Sequence, residues 1–298
     1  MTRNPRHCPM CGGVGVFSFI ATDENRRIDD GKFGYLRCHS CATIYIEAIP
    51  PDLGRYYRSD YYNIPNVDGL AKLSAKDRKI EIVKRYARTG KLLEIGPAIG
   101  VFAYRAKCEG FAVDVIEMDQ QCCKFLNEAL HIRAVQSDQP QSAIRDQPQH
   151  DVVVAWHVME HLPDPLEFLK AAAGNLTKGG HLILAMPNPE AWQAKIMGVH
   201  WPHVDAPRHV TLIPLNALVR IAAPFGLRAI EMTTSDPDGK SWNRFGWQRL
   251  IMNRLPGKWG QRIGFILGTL LSIPFMIFDE QKMRGAAYTV VFQKGDVP

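Results

Sequence analysis

Apolar and polar positions alternate in short blocks along the chain, and the clearest block runs from Lys91 to Asp119. The apolar pair Leu92-Leu93 leads into Glu94. Gly96-Pro97-Ala98-Ile99-Gly100 follows, then residues at helical spacing, then a second apolar run closing on Glu117. That order predicts a strand, a glycine turn, a helix and a second strand. Upstream, Asn66–Ser74 reads as a polar loop. Ile80, Val83 and Ala87 share one face of Ala75–Arg88, with Lys76, Lys79, Lys84, Arg85 and Arg88 directed outward, which predicts an amphipathic helix. Downstream, the pattern gives a helix at Gln120–Leu130, a strand at Ile132–Gln136 and a polar loop at Ser137–Gln149. Asp151–His157 is apolar enough to be a strand buried on both faces. A helix starts at Pro165 and runs to about Leu176; Lys178-Gly179-Gly180 ends it before a strand at His181–Met186. A helix at Leu215–Pro224 and strands at Leu227–Thr233 and Ala287–Lys294 complete the series. Seven strands with crossover helices, the last strand antiparallel, predict an α/β fold with a doubly wound, seven-stranded, mostly parallel sheet. A ligand is expected at the carboxyl ends of its first two strands.

Two stretches stand apart from this alternation. Near the start, Cys8-Pro9-Met10-Cys11 and Cys38-His39-Ser40-Cys41 flank β-like runs at Gly15–Ile20 and Lys32–Arg37, with a turn signal at Asp29-Asp30-Gly31. Two such knuckles can place four thiolates around one structural Zn²⁺, so Cys8, Cys11, Cys38 and Cys41 are the expected ligands of a small zinc-ribbon-like segment over residues 1–50. The segment reads either as a docking ribbon for nucleic acid or as a stapled lid; the four acids within Thr22–Asp30 favour the lid. Residues 51–90 form a linker and helix, in which Arg55–Tyr62 packs four tyrosines and two arginines, able to cover a ligand or simply to pack on the domain. The main domain takes residues 91–298 with an insertion at 236–284.

That insertion begins polar and aromatic, with Trp242, Phe245 and Trp247, and then runs uncharged from Ile263 to Phe278. Sixteen helical residues reach about 24 Å, short of a hydrocarbon core of about 30 Å. Pro274 interrupts the run, and Lys258, Arg262, Lys282 and Arg284 flank it. It is expected to pack on the protein, at a dimer seam, or as a peripheral membrane contact through 263–278, rather than to span a bilayer.

Composition narrows the class. The chain is 46% hydrophobic and 22% charged, as a folded soluble protein is. A net charge of +6 permits nucleic acid or anionic lipid as partner and demands neither. The sequence does not open on a basic, apolar and cleavable leader, so no signal peptide is expected. Seven cysteines without scaffold spacing suit a reducing, cytoplasmic setting.

The glycine loop then points to a ligand. A pyrophosphate site would want G-x-G-x-x-G. Here Pro97 removes a donor, and no lysine follows as in a phosphate loop. A ribose-bearing ligand fits better, with Glu117, 23 residues beyond Glu94, placed to accept ribose hydroxyls. Glu94-Ile95-Gly96 with Gly100 and the strand-end acid Glu117 resembles the cofactor site of class I S-adenosylmethionine-dependent methyltransferases. Glu160-His161-Leu162-Pro163-Asp164-Pro165 and Pro207-Arg208-His209 resemble their bacterial small-molecule branch, to which ubiquinone-biosynthesis O-methyltransferases belong. The resemblance covers roughly Ala75–Thr233 and resumes at Ala287–Lys294. It implies S-adenosylmethionine at Glu94, Gly96, Gly100 and Glu117, with Asp138 facing the adenine and Trp156 beside the cofactor. The ubiquinone enzymes show an E-x-x-E-H pattern linked to a divalent cation. His157 stands where its first glutamate would be, so that cation is not expected here.

Methyl transfer to a hydroxyl needs a base, and histidine suits that role near neutral pH. His157, His161 and His209 are the candidates. Each has a plain structural alternative: a satisfied core histidine, a cap beside Glu160, and a loop anchor with Asp205 and Arg208. The D/N-P-P-aromatic motif of amino-methylating enzymes is replaced by Ala155-Trp156-His157-Val158, and no nucleophilic Pro-Cys lies there. A small-molecule acceptor, methylated on a hydroxyl oxygen, is therefore expected. The alternatives are an RNA methyltransferase using the ribbon to bind RNA, and a non-catalytic scaffold that kept the cofactor fold.

Overall fold

A computed structural model describes residues 6–57, 62–279 and 281–296. The ribbon comes first, with β1 (Gly15–Ala21), β2 (Phe33–Cys38) and β3 (Ile44–Ile46) pairing antiparallel in that order. The helix expected at Ala75–Arg88 is shortened to α2 (Lys79–Val83), and Asn66–Ser74, expected as a polar loop, is mostly a helix of its own, α1 (Val67–Ser74). Side chains explain the break. Asn66 accepts from Gly69 N at 2.8 Å and starts the helix inside the expected loop, while Asp77 accepts from Lys79 N at 2.8 Å and starts a new one.

The main sheet follows: β4 (Gly90–Ile95), α3 (Val101–Cys108), β5 (Phe111–Glu117), α4 (Gln120–Glu128) and β6 (Arg133–Gln136). The polar stretch after β6 holds a short helix, α5 (Pro140–Arg145), with Pro140 in its first turn, where a missing N–H costs nothing. β7 (His150–Trp156), α6 (Pro165–Asn175) and β8 (Leu176–Pro187) come next. β8 begins five residues earlier than its apolar run suggested, because Leu176 pairs with His150 across a register shift. α7 (Trp192–Met197), β9 (Thr211–Leu212), α8 (Leu215–Ala222) and β10 (Leu227–Thr233) lead to the insertion, and β11 (Ala287–Lys294) ends the sheet.

Its strand order is β10-β11-β8-β7-β4-β5-β6. Strands β6, β5, β4, β7 and β8 are parallel, and β11 lies antiparallel between β8 and β10. This is the doubly wound, mostly parallel seven-stranded sheet the pattern predicts. Apolar strand residues such as Leu92, Leu93, Val153, Val154, Ile183 and Val291 are buried, and helices cover both faces.

The ribbon is not free of this body. Ile44 and Tyr45 of β3 pair with Leu212 and Thr211 of β9, so the loop after β8 supplies the fourth strand of the ribbon's sheet. Cys8, Met10, Leu36 and Tyr45 share a core with Leu93, Met159 and Ile213.

The insertion folds as a helical hairpin, α9 (Pro237–Met252) and α10 (Gly257–Asp279). Gly268 brings the two backbones together: a Cβ there would lie 2.3 Å from Gln248 Cα. Trp247 stacks on Phe275 at 4.5 Å, and Gln248 Nε2 donates to Thr269 Oγ1 at 2.8 Å. The uncharged run is thus part of a 23-residue helix, longer than the sixteen residues the apolar pattern marked.

Candidate functional site

The carboxyl ends of β4 and β5 bring the first set of residues together. Glu94, on β4, is buried, and its Oε2 has no partner among the described residues. Burial pushes its carboxyl up to about 8, with the positive charge of Lys79 pulling the other way. Gly96 and Gly100 hold φ values of +66° and +83°, and a Cβ at either would collide with Val158 or Leu126. The crowding at both positions comes from the protein itself.

Glu117 ends β5 and accepts three backbone hydrogen bonds: Oε1 from Met118 N at 2.8 Å and Asp119 N at 2.9 Å, Oε2 from Ala98 N at 2.9 Å. It ties the glycine loop to the next strand. Burial raises its carboxyl while these donors oppose the rise. Trp156 closes β7 with its ring edge-on to Phe102 at 5.3 Å and its buried indole N–H unpaired. Asp138 is exposed on the loop after β6, near Ser137, whose N–H donates to Glu117 O at 2.9 Å. Among the described residues an unpaired buried carboxyl group, an unpaired indole and a strand-end carboxylate fit a ligand that carries both hydroxyl and ammonium donors and an acceptor. S-adenosylmethionine is such a ligand, and Glu94, Glu117 and Trp156 are the groups that would hold it.

Beyond the end of β7 lies a cavity of about 630 Å³. Its walls come from five parts of the chain: Asn25 and Arg26 of the ribbon, the 157–161 turn, Pro187 at the end of β8, the 202–209 loop, and the α9 side chains Asp238, Ser241, Trp242, Phe245 and Arg249. The three histidines picked from sequence all line it.

His157 sits in a left-handed conformation at φ +57°, a strained state for a residue with a Cβ. Its Nε2 is 3.2 Å from Asp238 Oδ2, and its Nδ1 is 3.4 Å from Glu160 Oε1. Burial opposes the charge, but the two carboxylates outweigh it and hold the imidazole up to about 9. His157 is therefore an imidazolium at neutral pH and a poor proton acceptor.

His161 is the reverse case. Burial, reinforced by His209, brings it down to about 4, so it is neutral at pH 7. Its Nδ1 lies 3.0 Å from Arg208 O and 2.9 Å from Tyr57 Oη. A carbonyl can only accept, so the proton is on Nδ1 and Nε2 keeps a lone pair. His209 likewise turns its Nδ1 to a carbonyl, His203 O at 2.7 Å, while its Nε2 stands 3.8 Å from Asp205 Oδ2. Glu160, His161 and His209 bring ligand atoms within 4.8 Å of one another, a set able to hold a divalent cation. The third group comes from a distant loop and replaces the carboxylate missing at His157.

Sequence reading did not reach several of these residues. Asp238 pairs with His157, and Trp242 lies 4.5 Å from the His157 ring and donates to Asp238 at 3.1 Å. Asn25 donates to Asp205 Oδ1 at 2.6 Å and to Pro202 O at 2.7 Å. Tyr57 was legible only as one tyrosine of the Arg55–Tyr62 cluster, and residues 58–61 of that cluster lie outside the described residues.

The four ribbon cysteines gather as the spacing predicts. Their Sγ atoms lie within 4.8 Å of one another, with 3.6 Å from Cys8 to Cys41, 3.5 Å from Cys11 to Cys38 and 3.4 Å from Cys11 to Cys41. Tetrahedral zinc with bonds of about 2.3 Å needs edges of about 3.8 Å, close to these values.

Comparison with known proteins agrees with this geometry. The family described as "Methyltransferase domain" matches residues 64–232, more than half of the chain. A ubiquinone biosynthesis O-methyltransferase of Klebsiella pneumoniae is 25% identical over 118 residues, 37% of this chain and 49% of that protein. Its counterpart in Aeromonas salmonicida is 25% identical over 154 residues, 48% of this chain and 65% of that protein. The chain thus spans about half the length of the curated relatives it matches. Among solved structures, phosphoethanolamine N-methyltransferase 2 of Haemonchus contortus in complex with S-adenosyl-L-methionine shares the fold. It has a TM-score of 0.55 and 15% identity, covering 95% of this chain and 70% of that one. A coclaurine N-methyltransferase gives a TM-score of 0.52 with 14% identity, covering 83% of each chain. Fold and family match coincide: the chain belongs to the methyltransferase domain family and has the fold of class I S-adenosylmethionine-dependent methyltransferases.

Proposed function

We propose that this enzyme methylates a hydroxyl oxygen of a small molecule held in the cavity beside β7. The observation that carries the reading is the cavity's charge pattern. One imidazolium, His157, is fixed between two carboxylates, beside the neutral imidazole of His161 and the ring of His209, whose Nδ1 atoms both face carbonyls. A volume of about 630 Å³ walled by five segments suits a small acceptor better than a nucleic-acid strand. Kinship with ubiquinone biosynthesis O-methyltransferases supports oxygen as the acceptor atom.

The cofactor supplies an activated methyl carbon for in-line displacement. The protein's part is to orient the acceptor and to accept its proton. The Nε2 lone pair of His161 receives the hydroxyl proton, with His209 beside it. His157 stays charged and stabilises the negative charge developing on the acceptor oxygen. A divalent cation held by Glu160, His161 and His209 would take the same Nε2 lone pairs and would lower the hydroxyl's pKa in place of the base. Glu117 takes the ribose, Glu94 the cofactor's ammonium, and Asp138 the adenine edge. Cys8, Cys11, Cys38 and Cys41 hold a structural zinc, so that the ribbon serves as a wall of the acceptor cavity, with no role in binding RNA.

The test is incubation of the enzyme with a cell extract and methyl-labelled cofactor, followed by mass spectrometry. Label in a low-mass methyl ether supports the reading. Label confined to RNA, or cofactor binding without any labelled product, overturns it.

A further inference from the structure

α10 leaves most of its circumference without a protein partner. Gly264, Gly268 and Ser272 face α9, while Ile263, Ile266, Leu270, Ile273 and Ile277 are each at least half exposed. The apolar face continues onto α7, where Trp192 lies 6.4 Å from Phe278 and Ile196 is exposed. A contiguous face of this kind on a folded protein marks a binding surface.

Charge identifies what binds there. From Gly239 to Phe278 the sequence has six lysines and arginines and no acid. Arg254, Lys258 and Arg262 are exposed at one end of the helix, and Lys282 is exposed beyond the other. Trp259 is 75% exposed, and the guanidinium of Arg262 stands 5.3 Å from its ring centre. Apolar residues between cationic ends, with an exposed tryptophan at the border, match a lipid surface that carries negative headgroups. A second copy of the chain matches poorly. Residues 239–278 of a second copy offer no acid to the Lys258 and Arg262 cations.

The helix lies along such a surface. Its 23 residues extend about 34 Å, enough for a bilayer core of about 30 Å by length alone. But β10 and β11 pair in one sheet, so both ends of the hairpin return to the same side. The companion helix α9 carries Lys240, Arg244 and Arg249 and cannot form a second apolar arm.

We propose that the exposed face of α10, continued by Trp192 and Ile196, docks this enzyme flat on an anionic membrane surface. Since α9 carries α10 on one side and lines the acceptor cavity with Trp242, Phe245 and Arg249 on the other, docking places that cavity beside the bilayer.

The test is co-sedimentation of the full chain with vesicles, one set of phosphatidylcholine alone and one with about 30% phosphatidylglycerol. The expected result is binding at least about tenfold stronger to the anionic set, weakened by salt. Ile266→Glu with Leu270→Glu abolishes binding to both sets, and Lys258→Glu with Arg262→Glu removes the anionic preference. In both variants calorimetric affinity for S-adenosylhomocysteine stays at wild type, which separates failed docking from a failed fold or a failed cofactor site. Three results overturn the proposal: no sedimentation of the wild type, equal binding to both vesicle sets, or a dimer in light scattering that Ile266→Glu with Leu270→Glu splits.

Discussion

The hydroxyl of Tyr35 donates to the carbonyl oxygen of His209 at 2.9 Å. Tyr35 belongs to β2 of the ribbon and is fully buried; His209 lines the acceptor cavity. Next along the chain, Val210 N donates to Glu160 O at 2.8 Å, and its carbonyl accepts from Ile46 N at 3.0 Å. The loop carrying His209 is therefore clamped between the cysteine-bearing ribbon and the turn after β7. The geometry of one candidate catalytic group depends on a segment that shares no strand with the main sheet.

Tyr35→Phe tests that clamp. It removes a donor and leaves a buried carbonyl unpaired, a loss of about 1–2 kcal/mol, which for a chain of this size lowers Tm by about 2–6 °C. Calorimetric affinity for S-adenosylhomocysteine stays unchanged, because His209 lies outside the cofactor edge. A drop in cofactor affinity equal to that of a cofactor-edge variant would show that the ribbon acts on the whole domain.

Glu117→Ala reports on the cofactor. The carboxylate holds three backbone N–H groups and stands at the expected ribose position. Its loss should weaken S-adenosylhomocysteine by about 1–3 kcal/mol and also destabilise the cofactor-free protein. A folded Glu117→Ala protein with wild-type affinity in calorimetry would remove Glu117 from the ribose.

Metal content is the third check. Freshly purified, reduced protein should carry one zinc per chain, and Cys38→Ser should lose it. Because Cys8, Cys38 and Cys41 sit in the same apolar core as Leu93 and Ile213, zinc loss should loosen more than the ribbon, seen as faster amide exchange in β3 and β9. Elemental analysis showing no zinc refutes the site.

Glu94 makes stability depend on pH. Its carboxyl rises from an ordinary 4.5 to about 8 on folding, because burial disfavours the charge. The folded state then holds a proton that the unfolded state has released. The stabilisation is complete below pH 4.5 and is lost as pH rises towards 8. Cofactor-free protein should therefore lose about 5 kcal/mol of this contribution across that window. Glu94→Gln should flatten the dependence. Denaturant titrations at several pH values decide; parallel curves for Glu94→Gln and wild type would count against the assignment.

Much of this architecture was legible because it is local. Glu94, Gly96, Gly100 and Glu117 lie in one strand, turn, helix and strand, where periodicity and turn chemistry speak directly. The cysteine knuckles were legible through spacing, and the carboxyl-end position of His157 and Glu160 through the buried run before them. What stayed hidden depends on long-range closure. Asp238 meets His157 from 81 positions away, and Asn25 meets Asp205 from 180. Neither carries a local pattern. The break at Asp77 and the early start of β8 were missed for a related reason: one hydrogen-bonding side chain or one register shift overrides an apolar period.

The pairing of β3 with β9 has a consequence for synthesis. Ile44 pairs with Leu212, 168 positions later. At about 5–20 residues per second the partner strand leaves the ribosome roughly 10–30 s after β3. Throughout that interval β3 presents an unpaired edge, and the four thiols stand in an incomplete core. Such an edge is a template for pairing with another nascent chain. The rate of translation therefore bears on how much of the chain reaches its native pairing.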